Sequence, residues 1–178
     1  MIRLISFSSS WRRRTYALVT AGFIGLTPLA IAMAETTRAA PKCLLKQWES
    51  DAPTHLDAWR GQVIYLDFWA SWCGPCAQSF PFMNVLHRDY GARGLKVLAV
   101  NMDENSQDAR DFLRDHPVEF QIAADSEAQC AEAFQVKAMP SSYVIDRDGT
   151  IVLRHSGFHT GDEARLRQAV EAALTQSK

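Results

Sequence analysis

The sequence predicts an α/β fold, a central mixed β-sheet flanked by helices, and three features predict it. Two dense β-branched and aromatic runs, Val63–Trp69 and Leu95–Asn101, read as buried strands. Helical segments follow both of them, at residues 77–90 and at about 106–116. Near the end, a strand, an Asp148-Gly149 turn and a second strand form a hairpin pattern before a last helix. Alternating strands and helices give parallel neighbours and the hairpin adds antiparallel ones, so the sheet is mixed.

Each element has its own signal. Residues 35–53 read as an N-terminal extension with a short strand near Leu44-Leu45, and 54–61 as a short helix or turn closing at Gly61. A single acid, Asp67, interrupts the first apolar strand. In the helix that follows, Phe82 and Leu86 lie four apart on one face, and Pro81 is expected to kink it. Ser106 is expected to cap the next helix and Pro117 to stop it. Residues 119–123 make a third strand, 127–134 a short helix, and 142–146 and 150–155 the hairpin strands. The last helix starts near Gly161 or Asp162 and carries Ala164, Leu166, Val170 and Leu174 as its apolar residues. There is no repeat or low-complexity linker. The expected organisation is a processing segment at 1–34, the extension at 35–53 and one domain at 54–178.

The processing segment carries Arg3, Arg12, Arg13 and Arg14 and no acid. A nearly uncharged apolar run, 16–33, follows, with Pro28 near its end and a small-x-small site at Ala32-Met33-Ala34. This is the pattern of a signal peptide cut after Ala34, and it predicts export to the periplasm. Left uncut, the same run, which approaches spanning length, would tether the chain to a membrane. The arginines before Thr15-Tyr16 resemble a twin-arginine signal only faintly. With four of the 19 basic residues spent here and all 20 acids elsewhere, the rest of the chain carries about −5. An acidic body without clustered Lys and Arg has no means of gripping a phosphate backbone, which excludes a nucleic-acid partner.

Export governs how the four cysteines are read: Cys43, Cys73, Cys76 and Cys130 would meet an oxidising compartment. Cys73-Gly74-Pro75-Cys76 closes too small a loop to staple much chain entropy, but such a loop suits redox chemistry. A thiolate attacks a disulfide, and a second thiol then resolves the mixed disulfide. Cys73 falls at a helix N-terminus, where free N–H groups and the helix dipole favour an anion, so it is the expected nucleophile. Cys76, further into the helix, is the expected resolving thiol. A zinc half-site would need two more ligands at matched spacing, and Cys43 and Cys130 stand isolated. Those two either pair as a structural bridge or remain separate thiols, since pairing requires Cα atoms within about 7 Å.

The segment from Asp67-Phe68-Trp69-Ala70-Ser71-Trp72 through Cys73-Gly74-Pro75-Cys76 resembles the active-site segment of the thioredoxin superfamily. Pro81 falls where thioredoxins kink the following helix, and Ala138-Met139-Pro140-Ser141-Ser142 resembles their cis-proline segment. The extra helix and strand at about 106–125, after Val100-Asn101-Met102-Asp103, are similar to the insertion of the exported TlpA/ResA/CcmG group. The resemblance covers about 54–174. It implies a thioredoxin-like fold with a βα insertion and a cis Met139–Pro140 bond. It also implies a client groove at Trp72, Gly74, Pro75, Met139 and Pro140. By the same resemblance Asp67 is the buried acid behind Cys76 and Glu104 an acid near the cysteines, both handling protons. Ala99 departs from the pattern, because cytoplasmic thioredoxins place a lysine there beside the acid.

These residues imply a reductase of specific protein disulfides, needing no cofactor beyond the cysteine pair and acting as a monomer. By family analogy a membrane donor of the DsbD/CcdA kind recharges it, and its clients are apocytochrome c thiols or a copper oxidase under assembly. A disulfide oxidase or isomerase is the first alternative. A non-catalytic copper-binding assembly factor using His155 and His159 is the second. A peroxidase is disfavoured, since no Pro-x-x-x-Thr-x-x-Cys pattern is present.

Overall fold

Strand β4 (Val63–Trp69) is buried along its whole length, and its two faces feed different cores. Side chains alternate along a strand. Val63, Tyr65 and Trp69 therefore enter one apolar cluster, and Ile64, Leu66 and Phe68 enter the other. A computed structural model describes residues 38–176, and the expected signal peptide at 1–34 lies outside the described residues. Around β4 the strands are β1 (Arg38–Ala39), β2 (Leu44–Gln47), β3 (Pro53–His55), β5 (Leu95–Asn101), β6 (Gln121–Ala124), β7 (Ser141–Ile145) and β8 (Thr150–Ser156). They form one eight-stranded sheet in the order β1-β8-β7-β4-β5-β6-β2-β3. The pairs β4–β5 and β5–β6 are parallel, and the remaining pairs are antiparallel. The sheet is mixed, as the alternating pattern predicts.

The helices are α1 (Gly74–Tyr90), α2 (Ser106–Asp115), α3 (Gln129–Phe134) and α4 (Glu163–Thr175). Helices α1 and α4 bury Phe80, Met83, Leu86, Leu166 and Val170 in the cluster that holds Tyr65 and Trp69. On the other face, Phe134 of α3 packs edge-on against Tyr143 and tilted against Phe68. The insertion consists of α2 and β6, and Phe112 of α2 reaches both Trp69 and Phe80, at ring separations of 5.1 and 5.5 Å.

Two local details differ from the sequence expectation. The cap of α2 is Asn105 rather than Ser106, its side chain accepting the Gln107 N–H at 3.1 Å. Residues 38–55 supply three strands of the main sheet, with β1 on one edge and β2–β3 on the other. At the hairpin, Gly149 takes a left-handed φ of 83°, which a side chain would resist. Asp146 Oδ1 accepts the N–H groups of Asp148 and Thr150 across that turn.

Candidate active site

Cys73 is the N-cap residue of α1, in an extended conformation, with Pro75 in the first turn. Its N–H donates to the carbonyl of Ala70, and its own carbonyl accepts the N–H of Cys76. These bonds fold the end of β4 back into the helix and bring the two cysteines together. Cys73 and Cys76 are joined as a disulfide with Cα atoms 5.3 Å apart. Cys73 is 4% exposed and Cys76 0%, so only the first borders solvent, as attack followed by internal resolution requires. The Ser79 hydroxyl donates to the Cys76 carbonyl, fastening the first turn.

The turn before Cys73 has a clamp that the sequence reading did not single out. Asp103, buried after β5, accepts from the Ser71 N–H, the Ser71 hydroxyl and the Asn101 side-chain amide, at 2.8–3.2 Å. Its signal was the Val-Asn-Met-Asp stretch, in which two polar residues, one at the last position of a buried strand and one two residues on, interrupt apolar sequence. Glu104, expected near the cysteines as a proton-handling acid, is exposed on that loop. It makes no hydrogen bond or ion pair with the described residues, and its buried neighbour Asp103 holds the turn instead.

Asp67 is fully buried. By the strand period it shares the face of Tyr65 and Trp69, which is covered by α1. Burial raises its carboxyl to about 7, against a lowering hydrogen bond from Ser142. The Ser142 hydroxyl donates to Asp67 Oδ1 at 2.6 Å and accepts the Tyr65 hydroxyl at 3.0 Å. Asp67 Oδ2 is buried with no hydrogen-bond partner. Ala99 is its register neighbour on β5, so the position of the absent lysine is apolar.

Met139–Pro140 is cis. Pro140 is buried, and half-buried Met139 packs against the cluster containing Cys73 and Cys76. Gly74 and Pro75 are exposed. Trp72 is 71% exposed, and only Leu44 joins it as a large exposed apolar residue among the described ones. Trp69 is instead a fully buried wall, stacked edge-on against Phe80 at 5.1 Å. Outside this cluster, Cys43 and Cys130 are also joined, their Cα atoms 5.1 Å apart. His155 Nε2 and His159 Nδ1 each lie 3.1 Å from Asp162 Oδ2. Among the described residues, no three His, Cys, Asp or Glu side chains are grouped to hold a metal ion.

The Redoxin family model matches residues 35–170. The chain belongs to the Redoxin family. This Redoxin is 30% identical to the thiol-disulfide oxidoreductase ResA of Geobacillus thermodenitrificans over 80% of the chain and 79% of that protein. It is 27% identical to the ResA of Bacillus thuringiensis subsp. konkukian, over 72% and 74% of the two chains. Among solved structures, it superposes with a TM-score of 0.74 on a Chlorobium tepidum protein provisionally assigned as the thiol:disulfide interchange protein DsbE. Identity there is 44%, covering 78% of this chain and 96% of that one. The Redoxin is thus a thioredoxin-superfamily thiol–disulfide oxidoreductase of the ResA and DsbE type.

Proposed function

We propose that this Redoxin is an exported reductase of specific protein disulfides, acting through Cys73 and Cys76. The observation that carries the reading is the cysteine pair at the start of α1, one sulfur bordering solvent and one sealed behind it, beside exposed Trp72 and the cis Met139–Pro140 segment. In the reduced enzyme the Cys73 thiolate attacks one sulfur of a client disulfide. The client S–S bond breaks, a Cys73–client bond forms, and the departing client thiolate takes a proton from water. Cys76 gives its proton to Asp67, and its thiolate attacks Cys73 Sγ. The second client thiolate leaves and is protonated. Two electrons pass to the client, and the enzyme ends as the disulfide.

Trp72, Gly74, Pro75, Met139 and Pro140 form the client groove in this scheme. Exposed Trp72 and half-buried Met139 are apolar side chains of the kind that suit an extended peptide. The Gly74-Pro75 pair lacks the histidine common in oxidising enzymes, which favours reduction over oxidation or isomerisation. The positive and apolar segment at 1–34 supports export to the periplasm, as a cut signal peptide or a tether. A reductase in an oxidising compartment must be recharged, so a membrane donor of the DsbD/CcdA kind is its partner. Apocytochrome c thiols awaiting haem, or a copper oxidase under assembly, are the clients that fit, and the working form is a monomer. The pairing of Cys43 with Cys130 is structural, and the copper-factor reading has no support in the placement of His155 and His159 around a shared carboxylate.

Reduction of insulin by dithiothreitol tests the assignment. Wild-type protein should accelerate it, and Cys73→Ser should fall to the uncatalysed rate. Equal rates for the two proteins would end the redox reading.

A further inference from the structure

The polar chain inside the sheet goes beyond what the cysteines require. Tyr65, Ser142 and Asp67 lie on two adjacent strands, with Asp67 and Ser142 register neighbours. All three are buried, and their hydroxyls point one way, Tyr65 to Ser142 and Ser142 to Asp67 Oδ1. A buried hydroxyl pair among apolar neighbours is costly unless satisfied. Here each hydrogen bond also adds to the next.

We propose that the Tyr65–Ser142 hydroxyl pair is the positioning device for Asp67, holding Oδ1 so that Oδ2 is the atom that takes the Cys76 proton. The assignment rests on the exchange reaction proposed above. Tyr65 and Ser142 act through Asp67 and touch neither sulfur nor client in this scheme. The geometry gives the two carboxylate oxygens different tasks: Oδ1 is occupied by the Ser142 hydroxyl, and Oδ2 is buried and bare. With Ala99 opposite, no cation stabilises the charged form from β5, so the Ser142 hydroxyl carries that task. The Tyr65 hydroxyl reinforces it by polarising Ser142.

The other groups facing this chain are few. From β8, His155 is the register neighbour of Ser142 and its Nε2 lies against Asp162 Oδ2. The Asp162 charge also reaches Tyr65, which burial and nearby Asp67 hold above its ordinary range. From α1, Cys76 and Cys73, paired as a disulfide, belong to the same apolar cluster as Tyr65. Loss of the hydroxyl that donates to the carboxylate favours the protonated form, so Asp67 would ionise at higher pH and accept the Cys76 proton only at higher pH.

Carbon-13 NMR of the aspartate carboxyls, from pH 4 to 10, reads this directly, with Asp67→Asn identifying the resonance. Ser142→Ala should move the Asp67 midpoint up by about one pH unit or more, as a hydrogen bond to a charged group predicts. Ser142→Thr, which keeps the hydroxyl, should stay within about half a unit of wild type, and Tyr65→Phe should rise by about a few tenths. The pH profile of oxidation of the reduced enzyme by a model disulfide should move by the same amounts. A role confined to packing would leave both profiles in place. Unmoved midpoints in Ser142→Ala and Tyr65→Phe overturn the proposal. Should Ser142→Ala fail to fold, Tyr65→Phe, one oxygen smaller, decides alone. An unmoved midpoint in a protein that still reduces insulin sinks this assignment only. A moved midpoint in a protein unable to reduce insulin supports the positioning of Asp67 and sinks the exchange reading instead.

Discussion

A carboxyl sealed in a sheet makes the pH dependence of stability run opposite to that of a salt-bridged one. Asp67 titrates at about 7 in the fold and at about 4 in the unfolded chain. As pH rises, the unfolded state therefore releases this proton first. The contribution of Asp67 is most favourable below about pH 4, falls between pH 4 and 7, and is level above. The full fall is at most about 4 kcal/mol, reduced by any relaxation around the charge. Asp67→Asn removes the ionisation, so denaturant melts should show the variant gaining on wild type between pH 4 and pH 8. Parallel stability curves for the two proteins would contradict a buried, titrating Asp67. At the same scale, Asp103 spends its carboxylate on the Ser71 turn, which explains why it is buried beside a loop whose next residue, Glu104, is exposed.

Elements at the sheet edges show how the extension is held. Strand β2 pairs with β6 through Lys46 and Gln47 only, a short ladder to join the β2–β3 pair to the sheet. The Cys43–Cys130 bond ties the start of β2 to α3 across 87 residues of sequence. In the chain-entropy account, closing so long a loop stabilises the fold by about 3–5 kcal/mol. The double variant Cys43→Ser/Cys130→Ser should melt at lower denaturant by that amount under oxidising conditions. It should still reduce insulin, since the bridge belongs to the apolar cluster that does not contain Cys73 and Cys76. A variant equally stable but inactive would assign the bridge to the chemistry instead. Helix α2 is linked to the site differently, through Phe112 against Trp69 and Phe80, so the insertion braces the wall beneath the cysteines.

For the whole molecule, the direction of electron flow is the property that unites the site with the proposed compartment. A helix N-terminus stabilises the Cys73 thiolate in every member of such a fold, and stronger stabilisation makes a stronger oxidant. The Gly74-Pro75 pair adds no cation beside that thiolate. Equilibration of the cysteine pair with glutathione should therefore give a potential near that of a reducing thioredoxin, about −270 mV. A value near −120 mV, that of a strong oxidant, would reassign the protein as an oxidase.

What the sequence determined by itself was whatever depends on neighbours along the chain. The apolar runs at Val63–Trp69 and Leu95–Asn101 specify buried strands because every residue in them must leave water. The Cys73–Cys76 spacing specifies a small redox loop at a helix start because three residues of chain fix that geometry. What only the tertiary structure decided depends on residues far apart in sequence. Cys43 meets Cys130 because β2 lies next to β6, close to α3. Ser142 reaches Asp67 across 75 residues because β7 pairs antiparallel with β4. Asp103 reaches Ser71 because β5 runs parallel to β4 and ends beside it. Hydrogen bonds of this kind form where strand register places the partners, and no local pattern of residues records register between distant strands.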